Sequence, residues 1–469
     1  FRHALLQEAI YLGLLRAERR DLHARAAAAV QAASSDRLPE VAAVLGRHYA
    51  AAENAEQAVH FLELAGDHAT DAFANDEAIA SFRAALGLTR RPSDAMAERN
   101  MAAAAFRLQT RLANVLWRTG RREEAKDAFR AALRRGDSVD PLLRAHVYTR
   151  LGRLEQTDLA YEAAAAAFDA AESLLGGDPG SDDARADQWL ELMIDGRADL
   201  HVMRSEPDLA LAVLQAVRPV LEAHDTPARR YSFERLLAMQ GVIKKRFRVD
   251  DGDLELLRRS VQVAKQTGED KDLGYATDFL GWALWLRGEL PEAKRLLESA
   301  HDMAERMGET ILRAISLLTL TQIALRQHDT EAVRVLLPQA AAAGGDTRLA
   351  GLAGVMACEA WLAWQDGHPD EVIRLADQIA QSEPASIGSG SYQRWMYLFP
   401  LIAARLDSGA VAEAVTAARH ILDPKQQLLP DELTAALNAA SAAWDQREPE
   451  AAEQHLKSAL LLARNLNYF

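Results

Sequence analysis

Apolar residues recur three and four positions apart over nearly the whole chain, and no run alternates apolar with polar positions in the β-branched manner of a strand. The pattern predicts helices throughout. Within it a local motif returns: a small residue, three others, a bulky apolar residue, two others, and a small residue. Ala58, Leu62 and Ala65 show it first, followed by Ala125, Phe129 and Ala132, then Ala164, Phe168 and Ala171, Ala293, Leu297 and Ala300, and Ala452, Leu456 and Ala459. Looser copies begin at Ala210, Leu257, Ala332, Val372 and Ala414.

From Leu257 onward the motif starts fall 36, 39, 40, 42 and 38 residues apart, a period that suits one helical hairpin per repeat. A second helical pattern lies upstream of each start, as in Leu45-Gly46 before Tyr49, Leu151-Gly152, and Leu280-Gly281 before Leu284. Gly120, Gly288, Gly367 and Gly409 mark the turns between the two helices. Antiparallel helices approach closely only where one offers Gly or Ala and the other drops a large side chain into the gap, which accounts for the residue types. No hairpin buries its apolar face alone, so each must lean on its neighbours, and the expected product is a superhelix with a long concave binding surface. Two irregularities stand out. Ala58 and Ala78 are only 20 residues apart, implying a shortened or fused helix near 67–74. Stretches 176–183 and 382–391, rich in Gly, Pro, Ser and Asp, are expected to be connectors.

Leu151, Gly152, Tyr161, Ala164, Phe168 and Ala171 resemble the tetratricopeptide (TPR) repeat, with Leu-Gly in its first helix and Ala-x3-Phe in its second. The resemblance implies an all-α, TPR-like helical-hairpin solenoid with a right-handed superhelix, about ten hairpins over residues 39–469. The period near 40 exceeds the family's usual ~34, so longer helices or loops are implied. Phe1-Arg2-His3-Ala4-Leu5, Glu8, Tyr11, Arg19-Arg20 and His23 do not follow the repeat. They resemble the end of the winged-helix segment that precedes a TPR array in STAND-class signalling ATPases, so residues 1–38 are read as an ATPase-linked helical segment and the chain as part of something longer. Two bacterial groups have that arrangement, multidomain adenylyl or guanylyl cyclases and LuxR-type transcription activators. Leu422-Asp423-Pro424, Gln426-Gln427, Leu429-Pro430 and Ala443-Trp444 resemble the final repeat of the cyclases, and nothing basic like a LuxR-type DNA-binding domain follows Leu460. The resemblance implies a sensor or regulatory arm that binds a protein, a peptide or a small ligand and relays the event to attached ATPase and effector domains. A free-standing TPR scaffold is the alternative from another class.

Composition narrows the function further. A formal charge of −14 argues against a broad phosphate-binding surface, hence against direct nucleic-acid binding. No apolar stretch has the length of a membrane span. Cys358 is the only cysteine, which excludes an intrachain disulfide and multi-cysteine metal sites and suits a reducing cytoplasm. No phosphate-binding Gly-x-x-x-x-Gly-Lys loop, His-Glu-x-x-His or Gly-x-Ser-x-Gly occurs, so no catalytic residue, cofactor or metal is expected in this chain. Asp250-Asp251-Gly252-Asp253 lacks calcium-loop spacing and is read as a helix start capped by Asp253.

Several residues remain as candidates for contact with a partner. Trp117, Trp285, Trp364 and Trp444 stand eight residues before a motif start, with Trp282 and Trp361 three residues earlier still. They either line the concave groove and grip a partner's apolar side chains, or fill the space between neighbouring repeats. Lys244, Lys245 and Arg246, with Arg248, form the one dense basic cluster, either a site for phosphate or an acidic partner or a solvated helix end. Tyr392, Trp395, Tyr397 and Phe399 are a further contact surface or the buried start of a helix. By the STAND resemblance His3 is a candidate nucleotide contact in the intact parent; otherwise it packs at a domain boundary. His48, His201 and His301 are read as helix-surface residues.

Overall fold

Leucine, alanine and charged residues at helical spacing form helices with little opposition from β-branched residues, and the computed structural model contains no strand among the residues it describes: 11–89, 95–134, 139–177, 182–204, 206–344, 352–382 and 393–469. His3, Tyr392, most of the 382–391 connector and the middle of the 176–183 connector lie outside those residues. Of the described residues, those up to 154 together with 173–175 form one compact unit, and 155–172 with 176–469 form the other.

The first unit runs through α1 (Arg16–Ala33), α2 (Leu38–Ala51), α3 (Ala55–Asp71), α4 (Asn75–Leu88), α5 (Ala95–Arg118), α6 (Arg122–Leu133) and most of α7 (Pro141–Thr157). After α8 (Tyr161–Leu175), the second unit continues with α9 (Asp183–Glu191), a π-helical segment Leu192–Ala198, α10 (Asp199–Met203), α11 (Pro207–Ala223), α12 (Pro227–Lys244) and α13 (Asp251–Thr267). Then follow α14 (Asp270–Arg287), α15 (Leu290–Met307), α16 (Thr310–Arg326), α17 (Thr330–Gly344), α18 (Leu352–Gln365), α19 (Pro369–Ser382), α20 (Trp395–Asp407), α21 (Val411–Ile421), α22 (Asp431–Asp445) and α23 (Pro449–Asn465).

The hairpins share one turn. Gly120, Gly288, Gly367 and Gly409 all have φ between 74° and 90°, in the left-handed region, and Glu53, Phe73, Leu159, His328 and Arg447 occupy the same conformation elsewhere. In each case the next residue's N–H reaches back to a carbonyl five residues before it, as in Glu289 to Leu284 (2.9 Å) and Glu448 to Ala443 (2.9 Å). That bond satisfies a helix-end carbonyl and reverses the chain, the Schellman arrangement. The left-handed residue stands five positions before the motif start, so turn and packing motif are one device.

The motif itself is the core. Ala125, Phe129 and Ala132, like Ala293, Leu297 and Ala300, are wholly buried. A Cβ added at Gly281 would sit 2.8 Å from Leu297 Cγ, at Gly46 2.6 Å from Leu62 Cγ, and at Gly66 2.3 Å from Phe82 Cε1. Glycine is therefore required where the bulky motif residue of the facing helix enters. The expected shortened or fused helix near 67–74 is absent: α3 runs its full length to Asp71 and a turn at Phe73 separates it from α4, and the 20-residue spacing arises because α3 is second helix to α2, offering Leu62 to Gly46, and first helix to α4, offering Gly66 to Phe82.

Two further expectations need correction. His328 carries the left-handed turn and Val333, five residues on, is fully buried while Ala332 is only half-buried, so that repeat starts one residue later than the sequence suggested. The cap of α13 is Asp250, whose Oδ1 accepts from the Asp253 N–H at 3.1 Å, while Asp253 Oδ2 accepts from the Asp250 N–H at 3.0 Å. The reciprocal pair is a capping box, which needs both acids.

Candidate functional site

Within the second unit the first helices of successive hairpins, α12, α14, α16, α18 and α20, touch one another in a row. Stacked hairpins would fill such a row with apolar side chains if packing were its only task. At its start, instead, charge is concentrated. Asp187, Glu191, Asp195 and Asp199 follow one another at four-residue intervals through α9, the π segment and α10. In a regular α-helix that spacing drifts by about 40° per step; the wider π turn between them takes up residues and works against the drift.

Arg229 on α12 gathers three of these acids. Its Nε and Nη2 meet the two oxygens of Asp187 at 2.9 and 3.1 Å, Nη2 also reaches Glu191 at 3.3 Å, and Nη1 donates to Asp195 at 3.1 Å. Arg235, six residues on, lies 3.9 Å from Asp195 and 3.7 Å from Asp199, with its guanidinium 5.2 Å from the Phe279 ring centre. Gln156 Nε2 closes the group by donating to Asp199 at 2.6 Å. Burial works against the Arg229 charge, and the surrounding carboxylates outweigh it, so its pKa stands above the ordinary arginine value.

Across the row, α14 contributes Asp272, whose carboxyl is raised by burial and by the Asp195 charge, against a bond from Thr267 and the charge of Lys271. Asp272 makes no ion pair among the described residues. One turn and a half further along, Asp278 is buried with Ser316 Oγ of α16 donating to it at 2.6 Å, and burial lifts its carboxyl to about 7. Tyr275 donates to Glu309 at 3.3 Å, and Lys271 lies 3.4 Å from the same carboxylate. Among the described residues no three metal-binding side chains are arranged to hold an ion, and no helix is long and apolar enough to cross a membrane.

The tryptophans divide. Trp285 and Trp361 are 1% and 0% exposed, within the core between repeats, whereas Trp117, Trp282, Trp364 and Trp444 are half-buried. Arg153 stacks 5.9 Å over Trp117, and the Trp364 ring lies 5.8 Å from that of Phe469. Trp395, Tyr397 and Phe399 form the buried start of α20. The basic cluster is occupied internally: Lys244 pairs with Asp208 at 2.7 Å and Lys245 with Asp250 and with Asp253 at 2.9 Å. Arg246 donates to the main-chain carbonyls of Gln426 at 3.0 Å and Asp423 at 3.2 Å. His201 pairs with Glu206 at 2.7 Å, and His48 shares a 2.8 Å contact with His23.

Sequence reasoning passed over the acidic cluster. The four-residue spacing of Asp187, Glu191, Asp195 and Asp199 was visible, but a run of acids on a helix normally marks a solvated face. Only the placement of Arg229 and Arg235 forty residues downstream distinguishes the two cases.

One family model agrees with this architecture over a single hairpin. The tetratricopeptide repeat family matches residues 106–135, which span the end of α5, the Gly120 turn and α6. No curated protein matches the chain. Among solved structures, a Rap protein complexed with competence and sporulation factor is similar at 14% identity, covering 86% of this chain and 99% of its own, with a TM-score of 0.45. A STAND protein with a tetratricopeptide repeat sensor from Pyrococcus horikoshii is similar at 12% identity, covering 81% of this chain and 55% of its own, with a TM-score of 0.44. Aspartyl phosphate phosphatase F from Bacillus subtilis is similar at 12% identity over 78% of this chain and 94% of its own, with a TM-score of 0.44. The chain is an all-helical protein built of TPR-like hairpins.

Proposed function

We propose that this chain is the TPR sensor or regulatory arm of a multidomain STAND-type signalling protein, in the first place a cytoplasmic nucleotide cyclase, and that it binds a protein or peptide along the first helices of its second unit. The Arg229 cluster supports the binding reading most directly. Buried ion pairs add little net stability to a fold, since desolvation offsets their attraction. Here Asp272, raised by burial and by the charge of Asp195, stands beside the Arg229 cluster and makes no ion pair among the described residues. A basic side chain from a partner supplies the missing cation, and the gain belongs to the bound state. Binding that favours one arrangement of the hairpins then shifts the population seen by attached domains. The opening Phe1-Arg2-His3-Ala4-Leu5 segment and the stretch from Leu422 to Trp444 support the STAND and cyclase parentage.

Calorimetric titration of the purified chain with Lys/Arg-rich and Glu-rich peptides of equal length tests the site. The basic peptides are expected to bind, more weakly at high salt and more weakly to Asp272→Asn; equal binding of both peptides, or none, would sink the reading. Adenylyl or guanylyl cyclase activity of the whole natural gene product tests the parentage. Specific DNA binding by that product selects the LuxR-type alternative, and neither activity leaves a free-standing scaffold.

A further inference from the structure

In the first unit, α1 is only lightly held by apolar side chains. It buries Ala27 completely and leaves Val30 half-buried against the core of Ala42, Leu45 and Phe61, but from Arg16 to Arg25 it offers no buried residue. Among the described residues, the contacts that hold that half are polar. Arg16 and Arg20 reach Glu53, just beyond the end of α2, and His23 Nδ1 meets His48 Nδ1 of α2 at 2.8 Å. The ring centres are 5.1 Å apart, so the two nitrogens face each other along the line joining the rings, the disposition of an N–H···N hydrogen bond. On the far side of His23, Nε2 lies 3.1 Å from the Tyr11 hydroxyl, and Arg19 stacks 5.3 Å over the Tyr11 ring.

Protonation decides whether such a bond can exist. A neutral imidazole carries hydrogen on one nitrogen and a lone pair on the other, whereas a charged one carries hydrogen on both. With both rings neutral, one Nδ1 donates and the other accepts. With only His23 charged the bond survives, His23 donating to the Tyr11 hydroxyl oxygen and to His48 Nδ1 together. With both charged, two N–H groups and two positive charges face each other at 2.8 Å, and attraction becomes repulsion. Neither imidazole pairs with a carboxylate among the described residues: Glu18 accepts from the Leu15 N–H at 2.9 Å, Asp21 lies 3.9 Å from Arg25, and Glu53 serves Arg16 and Arg20. The other charges at the pair are basic, Arg19 at Tyr11 and Arg47 beside His48, and no charge of α3 acts on His48 from the other side of α2. Burial, the His23 charge and Arg47, in that order, hold His48 below the ordinary histidine value.

We propose that the His23–His48 pair is a proton-operated latch, closed at neutral pH, which frees the first half of α1 from α2 when both imidazoles are charged. The unfolded chain charges this histidine near 6.5 and the folded chain only at lower pH, so docking is complete above 6.5 and is lost as the pH falls through that lower value. Glu53 does not act in the same window, since the bond from Arg16 holds its carboxyl below the usual range and keeps it charged. Without α2, residues 16–26 are too few for a stable isolated helix, while Ala27 and Val30 keep the second half of α1 in place. The latch therefore frays one end of α1 and leaves the α2–α3 hairpin as it is. It belongs to the first unit alone and does not depend on the partner proposed for the second.

Hydrogen exchange of the whole chain, read by mass spectrometry on peptides from residues 16–26 and normalised to the intrinsic rate at each pH, tests the latch. The natural chain is expected to lose at least tenfold protection there between pH 7.5 and pH 5 while α2 keeps its own. His48→Asn, whose amide can take over the Nδ1 contact and cannot become charged, is expected to keep its protection at both pH values. His48→Lys, charged throughout, is expected to be at least tenfold less protected than the natural chain already at pH 7.5. Constant protection in the natural chain overturns the proposal. A loss in His48→Asn equal to the natural one also overturns it, since the effect would then belong to other groups, and so does His48→Lys protection equal to that of the natural chain at pH 7.5. Should circular dichroism show either variant to be unfolded, His23→Asn and His23→Lys, at the half-buried partner position, take their places with the same expectations.

Discussion

Ser316 Oγ donates to Asp278 Oδ1 at 2.6 Å across 38 residues of sequence, and both side chains are closed to solvent. One hydroxyl is poor compensation for a buried carboxylate, and burial lifts Asp278 from 3.8 to about 7. Between roughly pH 4 and pH 7 the folded chain therefore holds a proton that the unfolded chain has released. The contribution of Asp278 is fully present below pH 4 and is lost as the pH rises through 7, on the order of 4 kcal/mol in all. Asp278→Asn keeps an acceptor for Ser316 and cannot ionise. Urea unfolding at pH 4.5, 6 and 8 is expected to show the variant more stable than the natural chain at pH 8, with the difference closing toward pH 4.5. Parallel pH dependence in the two proteins would contradict this account of the site.

Arg447 takes the left-handed turn between α22 and α23 with φ 63° although it is not glycine. For an L-residue that conformation costs about 1–2 kcal/mol, whereas glycine adopts it freely. Arg447 is exposed, so little packing is lost on removing its side chain. Arg447→Gly is expected to raise stability by about 0.5–1 kcal/mol after the greater chain entropy of glycine is deducted. Gly288→Arg, at an equivalent turn with φ 90°, is expected to lower it. Chemical denaturation midpoints read both.

The glycines that admit bulky residues make a graded series. A methyl at Gly66 would fall 2.3 Å from the Phe82 ring, and at Gly281 2.8 Å from Leu297, while at Gly87 nothing lies within 4 Å. A flat ring yields less readily than a leucine branch. Gly66→Ala is expected to cost about 1–3 kcal/mol, Gly281→Leu a similar amount, and Gly87→Ala to stabilise by up to about 1 kcal/mol. Thermal melts that place Gly66→Ala above Gly87→Ala would show that the helix crossing has been misassigned.

These glycines also show how far the sequence could be read. Gly281 and Leu297 are specified by local spacing, because each helix must alternate small and large residues whatever lies further away. The same holds for the Gly120 and Gly288 turns, where glycine advertises its backbone conformation. Arg447 and Leu159 adopt that conformation without any such mark, since the repeat geometry imposes it on whatever residue stands there. The tryptophans illustrate a second limit. Trp285 and Trp282 are three residues apart on one helix, yet one is core and the other half-buried, a difference set by how the neighbouring hairpin is rotated. The Arg229 cluster joins helices whose apposition no local pattern encodes, and the rings of Trp364 and Phe469 meet from over a hundred positions apart.

Arg229 supplies the last prediction. Its guanidinium is 13% exposed and serves Asp187, Glu191 and Asp195, the last two 3% and 5% exposed. Arg229→Met keeps most of the aliphatic volume and removes the charge, leaving the buried Glu191 and Asp195 beside the partly exposed Asp187 without it. Breaking a buried pair in this way typically costs about 3–5 kcal/mol, since the remaining charges keep their desolvation penalty and lose their compensation. The variant's deficit is therefore expected to be large, and urea midpoints of both chains at pH 7.5 measure it. A deficit below about 1 kcal/mol at pH 7.5 would mean that water reaches Glu191 and Asp195 freely, and the cluster would then be a solvated face rather than the buried polar core of this row.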